Sequence, residues 1–104
     1  MSAFGIGTNT QSTNDGEIQG TQMEIACACW FTSQRKPTPY LIKFIDENGE
    51  IQTVREIKVI YMEPKNYSGI PSLEYTCEMV INEIRHNIKL IFFMQECRWI
   101  MTFL

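Results

Sequence analysis

The chain has 104 residues, 44% of them hydrophobic and 12% aromatic, with a formal net charge of −3. That length gives room for one domain with a modest core. Nine bases dispersed among twelve acids lack the clustered positive charge of a nucleic-acid or anionic-membrane footprint, and no stretch approaches the roughly eighteen apolar residues of a membrane span.

Residues 1–22 carry four of the six glycines and no Lys or Arg. Such a segment cannot bury enough surface to order itself, which predicts a flexible leader over 1–22 and a single β domain over 23–104. Phe4, Ile6 and Ile18 are the side chains able to anchor the leader. The leader lacks a basic start followed by an apolar run, so it does not read as a signal peptide. The expected location is the cytoplasm, where four cysteines stay reduced.

From residue 23 the pattern has period two, the mark of strands. Met23, Ile25, Cys27, Cys29 and Phe31 share one face, while Ala26, Ala28 and Trp30 share the other. Small or apolar residues on both sides suggest a covered strand, expected to pack over the sheet formed by the C-terminal third. Arg35-Lys36-Pro37-Thr38-Pro39 reads as an extended connector. A strand over 40–45 follows, then a turn over 46–50. A type I turn with Gly49 in the left-handed region would set Ile45 against Ile51 and Ile42 against Val54, matching apolar with apolar. Residues 51–54 and 57–62 are out of phase across Arg55-Glu56, which predicts a bulge and a bend there. Residues 64–71 read as the longest internal loop, with Tyr67 and Ile70 its notable side chains.

The C-terminal third sets the fold. Leu73, Tyr75, Cys77, Met79 and Ile81 recur at every second position with Glu74, Thr76 and Glu78 between, and Ile88, Leu90 and Phe92, then Trp99, Met101 and Phe103, repeat the period with Lys89 and Thr102 among the intervening residues. A loop over 94–97 places Phe92 opposite Trp99, Leu90 opposite Met101 and Ile88 opposite Phe103. A loop over 83–86 would place Ile81 opposite Ile88 and Met79 opposite Leu90. The fold class is therefore all-β: six to seven short antiparallel strands in a meander, bent into a small open barrel or rolled sheet. The opposite face carries Val80, Ile91, Phe93 and Ile100, too apolar for a wet surface. Either the chain covers them, or they form a face for a protein partner or a homodimer.

Chemistry is sparse. Cys27-x-Cys29 with Cys77 and Cys97 has poor zinc spacing and reads as buried thiols acting as small hydrophobes. His86, the single histidine, falls in the expected turn with no positioned nucleophile or orienting carboxylate. No phosphate loop, nucleophile elbow or His-Glu-x-x-His appears, so neither a catalytic residue, a metal nor another cofactor is assigned. Aromatics assigned to the apolar side of strands argue against a nucleic-acid-binding barrel, the alternative reading.

Phe44-Ile45-Asp46-Glu47-Asn48-Gly49-Glu50, Asn66-Tyr67-Ser68-Gly69-Ile70-Pro71 and Phe92-Phe93-Met94-Gln95-Glu96-Cys97-Arg98-Trp99 resemble stretches of small uncharacterised proteins found in bacterial mobile elements. The resemblance covers residues 38–104, brings no catalytic motif, and implies a bacterial, intracellular accessory protein. The expected function is a non-catalytic protein-interaction module, in that setting one directed at a host protein. Its expected contact residues are Val80, Ile91, Phe93 and Ile100 on the second face, with Tyr67 and Ile70 on the loop.

Overall fold

The computed structural model describes residues 15–18, 20–33 and 36–104. It contains seven strands: β1 (Gln22–Phe31), β2 (Pro37–Ile45), β3 (Ile51–Val54), β4 (Ile57–Tyr67), β5 (Ile70–Ile81), β6 (Ile84–Phe93) and β7 (Arg98–Phe103). All belong to one antiparallel sheet in the order β3-β2-β1-β7-β6-β5-β4, rolled into an open half-barrel, with no helix among the described residues. Two meanders, β1 to β3 and β4 to β7, are joined where Met23 lies opposite Met101 and Ile25 opposite Trp99.

The ends of that order, β3 and β4, are neighbours in sequence. A flat sheet would hold them about 29 Å apart, at roughly 4.8 Å per strand spacing. The three Cα steps from Val54 to Ile57 reach at most about 11 Å. The sheet must therefore roll. In effect β3 and β4 are one bent strand, whose first part pairs with β2 and whose second part pairs with β5. The two-residue break at Arg55-Glu56 resets the alternation, so Val54 and Ile57 both pack on the core, as their phase in the sequence requires.

The concave face holds the core. Met62, Tyr75, Leu90, Met101 and Met23 stand opposite one another on successive strands, and Leu90 and Met101 are fully buried. In the next row, Trp99 stacks on Phe92 with ring centroids 4.8 Å apart, and Tyr75 tilts against Trp99 at 5.5 Å. The Tyr75 hydroxyl donates to the carbonyl of Pro37, tying β5 to the start of β2 across the interior.

The β6–β7 register is the expected one, with Phe92 opposite Trp99 and Ile88 opposite Phe103. So is the β2–β3 register, with Ile45 opposite Ile51 and Ile42 opposite Val54. That turn is held by Asp46, whose Oδ1 accepts from the backbone N–H groups of Asn48 and Glu50 at 2.9 Å each, while Oδ2 accepts from Gln52 at 2.7 Å. These bonds, Gln52 foremost, hold the Asp46 carboxyl below its ordinary pKa. Gly49 sits at φ +79°, where a side chain would be strained.

The β5–β6 register differs. Ile81 faces Ile84, Cys77 faces Ile88 and Tyr75 faces Leu90, a slide of four residues from the expected pairing. The turn is two residues, Asn82-Glu83, both left-handed at φ 51° and 66°, the conformation that matches the twist of a tight hairpin. Because the slide is even, every side chain keeps its face. Alternation fixes the face, and turn length fixes the pairing.

Four further expectations are corrected. β1 does not cover the sheet but lies within it, between β2 and β7, because its apolar face matches those of both neighbours. Pro37-Thr38-Pro39 is not a connector but the start of β2. β3 pairs only with Ile42 to Ile45, so at Pro37 and Pro39 β2 is an edge, where a missing N–H is tolerated. Residues 64–71 are not a long loop. β4 and β5 run to a two-residue turn, Ser68-Gly69, with Pro64 on the edge strand. His86 is not in a turn but on β6 opposite Met79, its ring edge-on to Phe103 at 5.3 Å.

Truncating Met101 to Ala should cost about 2–5 kcal/mol in urea unfolding, whereas Val80→Ala at the exposed hairpin end should stay within about 0.5 kcal/mol. Glu83→Gly should raise the urea midpoint by the equivalent of about 1 kcal/mol with an unchanged m-value, because it relieves a left-handed non-glycine residue.

Candidate functional site

The six expected contact residues fall in three places. Ile91, Phe93 and Ile100 are 0%, 3% and 1% exposed, beneath Ile18 and Tyr67. They do not form an open face. Val80 is not beside them. It lies opposite Arg85 near the β5–β6 turn, 48% exposed. Tyr67 and Ile70 face each other across the β4–β5 turn, with Tyr67 turned onto the covered patch and Ile70 exposed.

The cover is a strap over residues 15–18. Asp15 donates its backbone N–H to the Asn66 carbonyl and accepts the Asn66 N–H on Oδ2, both at 2.7 Å. Ser68 Oγ donates to the Gly16 carbonyl at 3.3 Å. At Gly20, φ is +87° and an added Cβ would meet Thr102 Oγ1 at 2.8 Å, so the chain can enter β1 this closely only without a side chain there. Of the proposed leader anchors, Ile18 seats on the patch, while Phe4 and Ile6 lie outside the described residues.

Beneath the strap, Glu74 is 1% exposed. Its carboxylate accepts from the Tyr67 hydroxyl and lies 3.1 Å from Lys89 Nζ. Burial, then donation to Glu74, pushes the Tyr67 hydroxyl pKa up. The cleft between strap and sheet, about 230 Å³, also exposes Lys65, 3.4 Å from Glu63. Arg98 bridges Glu24 at 2.7 Å and Glu96 at 2.9 Å over the Phe93 ring. The cations of this face are matched by carboxylates, and the arrangement is that of a seal.

Three thiols lie on the core side. Cys77 is buried, Cys27 and Cys29 are partly so, and all are free. Burial pushes Cys27 and Cys77 up to about 12, and raises Cys29. Cys97 departs from the buried reading, standing exposed in the β6–β7 turn. Among the described residues, no group of three or more His, Cys, Asp or Glu could hold a metal ion.

The open surface lies elsewhere. Trp30 and Phe31 are each 67% exposed and Tyr40 41%, with Trp30 stacked on Tyr40 at 5.3 Å. This corrects the assignment of aromatics to buried faces. Trp30 was readable from its phase with Ala26 and Ala28. Phe31 was not, because it lies at the end of β1. Tyr40 was not, because a bulge pairs Ala28 with Leu41 and then Cys29 with Pro39, leaving Tyr40 as the extra residue on β2. Beside Tyr40, over the Arg55-Glu56 bend, opens a cleft of about 460 Å³ walled by Arg55 and Lys58, with Ile57, Met79 and Val80 also lining it. Lys65, Arg85, Lys89 and Arg98 form ion pairs. Lys36, Lys43, Arg55 and Lys58 form none among the described residues.

No family model, curated protein or solved structure matches this chain. Among the described residues, no helix is long and apolar enough to cross a membrane.

Tyr67→Phe should destabilise the protein by about 1–3 kcal/mol, because it leaves a buried carboxylate short of a donor. Raised thiol pKa values give a contribution to stability that is full below pH about 9, where unfolded thiols are still protonated, and is lost as pH rises toward about 12. An alkaline urea series should show that decline. Iodoacetamide at pH 8 should label Cys97 first and Cys77 only on unfolding.

Proposed function

We propose that this protein is a non-catalytic protein-interaction module of the cytoplasm, and that it meets its partner through the end that displays Trp30, Phe31 and Tyr40. The observation that supports this most is the exposure of those three rings at one end of the sheet, with Trp30 stacked on Tyr40, while the apolar patch of Ile91, Phe93 and Ile100 is covered. Aromatic side chains offer large contact area at low entropic cost and are enriched at interface centres. The four free cysteines fit a reducing compartment. The polar groups best placed for chemistry are already engaged in packing: Glu74 by Tyr67 and Lys89, and His86 by Phe103. An accessory role in a bacterial mobile element is the setting that the resemblance implies, and action on a host protein is one form of it.

A second reading has its own support. A stacked Trp30–Tyr40 pair near Lys36, Lys43, Arg55 and Lys58, which form no ion pair among the described residues, also suits single-stranded nucleic acid. Steep salt dependence separates the two, because phosphate contacts release counterions.

Trp30→Ala combined with Tyr40→Ala should leave the melting temperature within a few degrees of wild type. Capture of a defined partner in pull-downs from bacterial extract should fall at least tenfold. Capture undiminished by the double variant would overturn the surface assignment. A gel shift of an oligonucleotide at low salt, lost at high salt, would favour the second reading.

A further inference from the structure

We infer that the cleft over the Arg55-Glu56 bend is the specificity pocket of this module, and that it takes an aromatic side chain with one adjoining carboxylate from an extended segment of the partner. This rests on the protein-interaction reading above and supplies the chemistry of the partner.

Charge makes the first argument. The chain carries a net charge of −3, yet this cleft is lined by Arg55, Lys58 and Arg85 against Glu56 and Glu78. Glu78 is engaged by Arg85 at 3.8 Å. Lys58 stands opposite Glu78 on β5, and Glu56 is the other carboxylate of the cleft, so three cations meet two acids, and among the described residues neither Arg55 nor Lys58 forms an ion pair. On the strap face, by contrast, Lys65, Lys89 and Arg98 each have a carboxylate within 3.4 Å. An incoming carboxylate would complete at the bend what the fold completes elsewhere for itself. Arg also presents a planar fork suited to that group.

Shape makes the second. The Tyr40 ring is thrown outward by the β2 bulge and backed by Trp30, so it forms a fixed wall. Val80, half exposed, and Ile57 add apolar surface. A volume of about 460 Å³ suits one ring and its neighbours and is too small for a folded surface. Next to it, residues 57–59 of β4 form a sheet edge ahead of the bulge at Ile60, where an extended segment can add backbone hydrogen bonds.

A peptide fits better than a nucleic-acid strand. A strand brings a phosphate with every nucleotide, and Glu56 and Glu78 would repel the second and third. A peptide can offer a single carboxylate where Arg55 and Lys58 await it.

The test is a titration of the ¹⁵N-labelled full chain, followed through its amide and arginine Nε–H signals. Three probes are used: the peptide acetyl-Ser-Gly-Trp-Asp-amide, which carries one acid, the same peptide with Lys for that acid, and an eight-nucleotide oligo-dT. The acidic peptide should shift Tyr40, Arg55 and Lys58, and the lysine peptide should not. Arg55→Glu with Lys58→Glu should weaken binding at least tenfold, while the charge-matched Lys36→Glu with Lys43→Glu should change it less than twofold. If the first pair perturbs folding, Tyr40→Ala gives the same readout. Shifts confined to Trp30 and Phe31 would overturn the pocket and leave the protein reading standing. Shifts at the bend by oligo-dT alone would overturn both. Silence of the bend toward all three probes at millimolar concentration would overturn the pocket.

Discussion

Arg55 and Glu56 join strands that lie at opposite ends of a seven-stranded sheet, and no flat sheet can satisfy that join. The rest of the molecule follows from it. Rolling brings β2 toward β4 and β5, lets the Tyr75 hydroxyl reach Pro37, and encloses one apolar row per strand. It also leaves a corner, because a strand that changes partners cannot stay hydrogen-bonded on both sides through the change. The cleft beside Tyr40 lies on the outside of that corner, so the feature that closes the core also creates an open concavity there.

The two outer regions solve the same difficulty in different ways. On β6 and β7 the outward residues Ile91, Phe93 and Ile100 are too apolar to face water, and the strap, Tyr67 and paired charges seal them. At the β1–β2 end, among the described residues, Trp30, Phe31 and Tyr40 have no such cover, and Lys36, Lys43, Arg55 and Lys58 form no ion pair. Selection for stability alone explains the first region. The second costs exposed aromatic area without an internal return, which is the usual mark of a surface kept for another molecule. The free edges do not serve that purpose along their whole length. β3 is four residues long, and beyond residues 57–59 β4 carries a bulge, Pro64 and Lys65, all of which discourage open-ended strand addition.

Much of the fold could be read from period two. Which face each core residue takes, the β2–β3 and β6–β7 registers and the break at Arg55-Glu56 were all available, because one buried face penalises any odd slip. The β5–β6 register was not, because slips of two or four keep the faces and only the left-handed pair Asn82-Glu83 decides among them. Pro37, Pro39 and Pro64 misled because a proline signals a break until it is known that the strand is an edge. The site was harder still. Val80, Ile91, Phe93 and Ile100 were correctly seen as outward and apolar, but a strap some 75 residues earlier in sequence covers three of them, and no local pattern announces that contact. Tyr40 depends on a bulge whose position is set by the partner strand.

The rolled sheet is tested most directly by a nuclear Overhauser contact between the Tyr75 ring and Pro37. These residues are on strands four steps apart in the sheet order, about 19 Å in a flat sheet at roughly 4.8 Å per step. The account predicts a clear cross-peak between Tyr75 ring protons and Pro37, seen in the same spectrum as contacts from Met101 to Leu90. Leu90–Met101 contacts without any Tyr75–Pro37 contact would mean that the ladder forms but the sheet stays open, and that would contradict both the core and the corner cleft built on its closure.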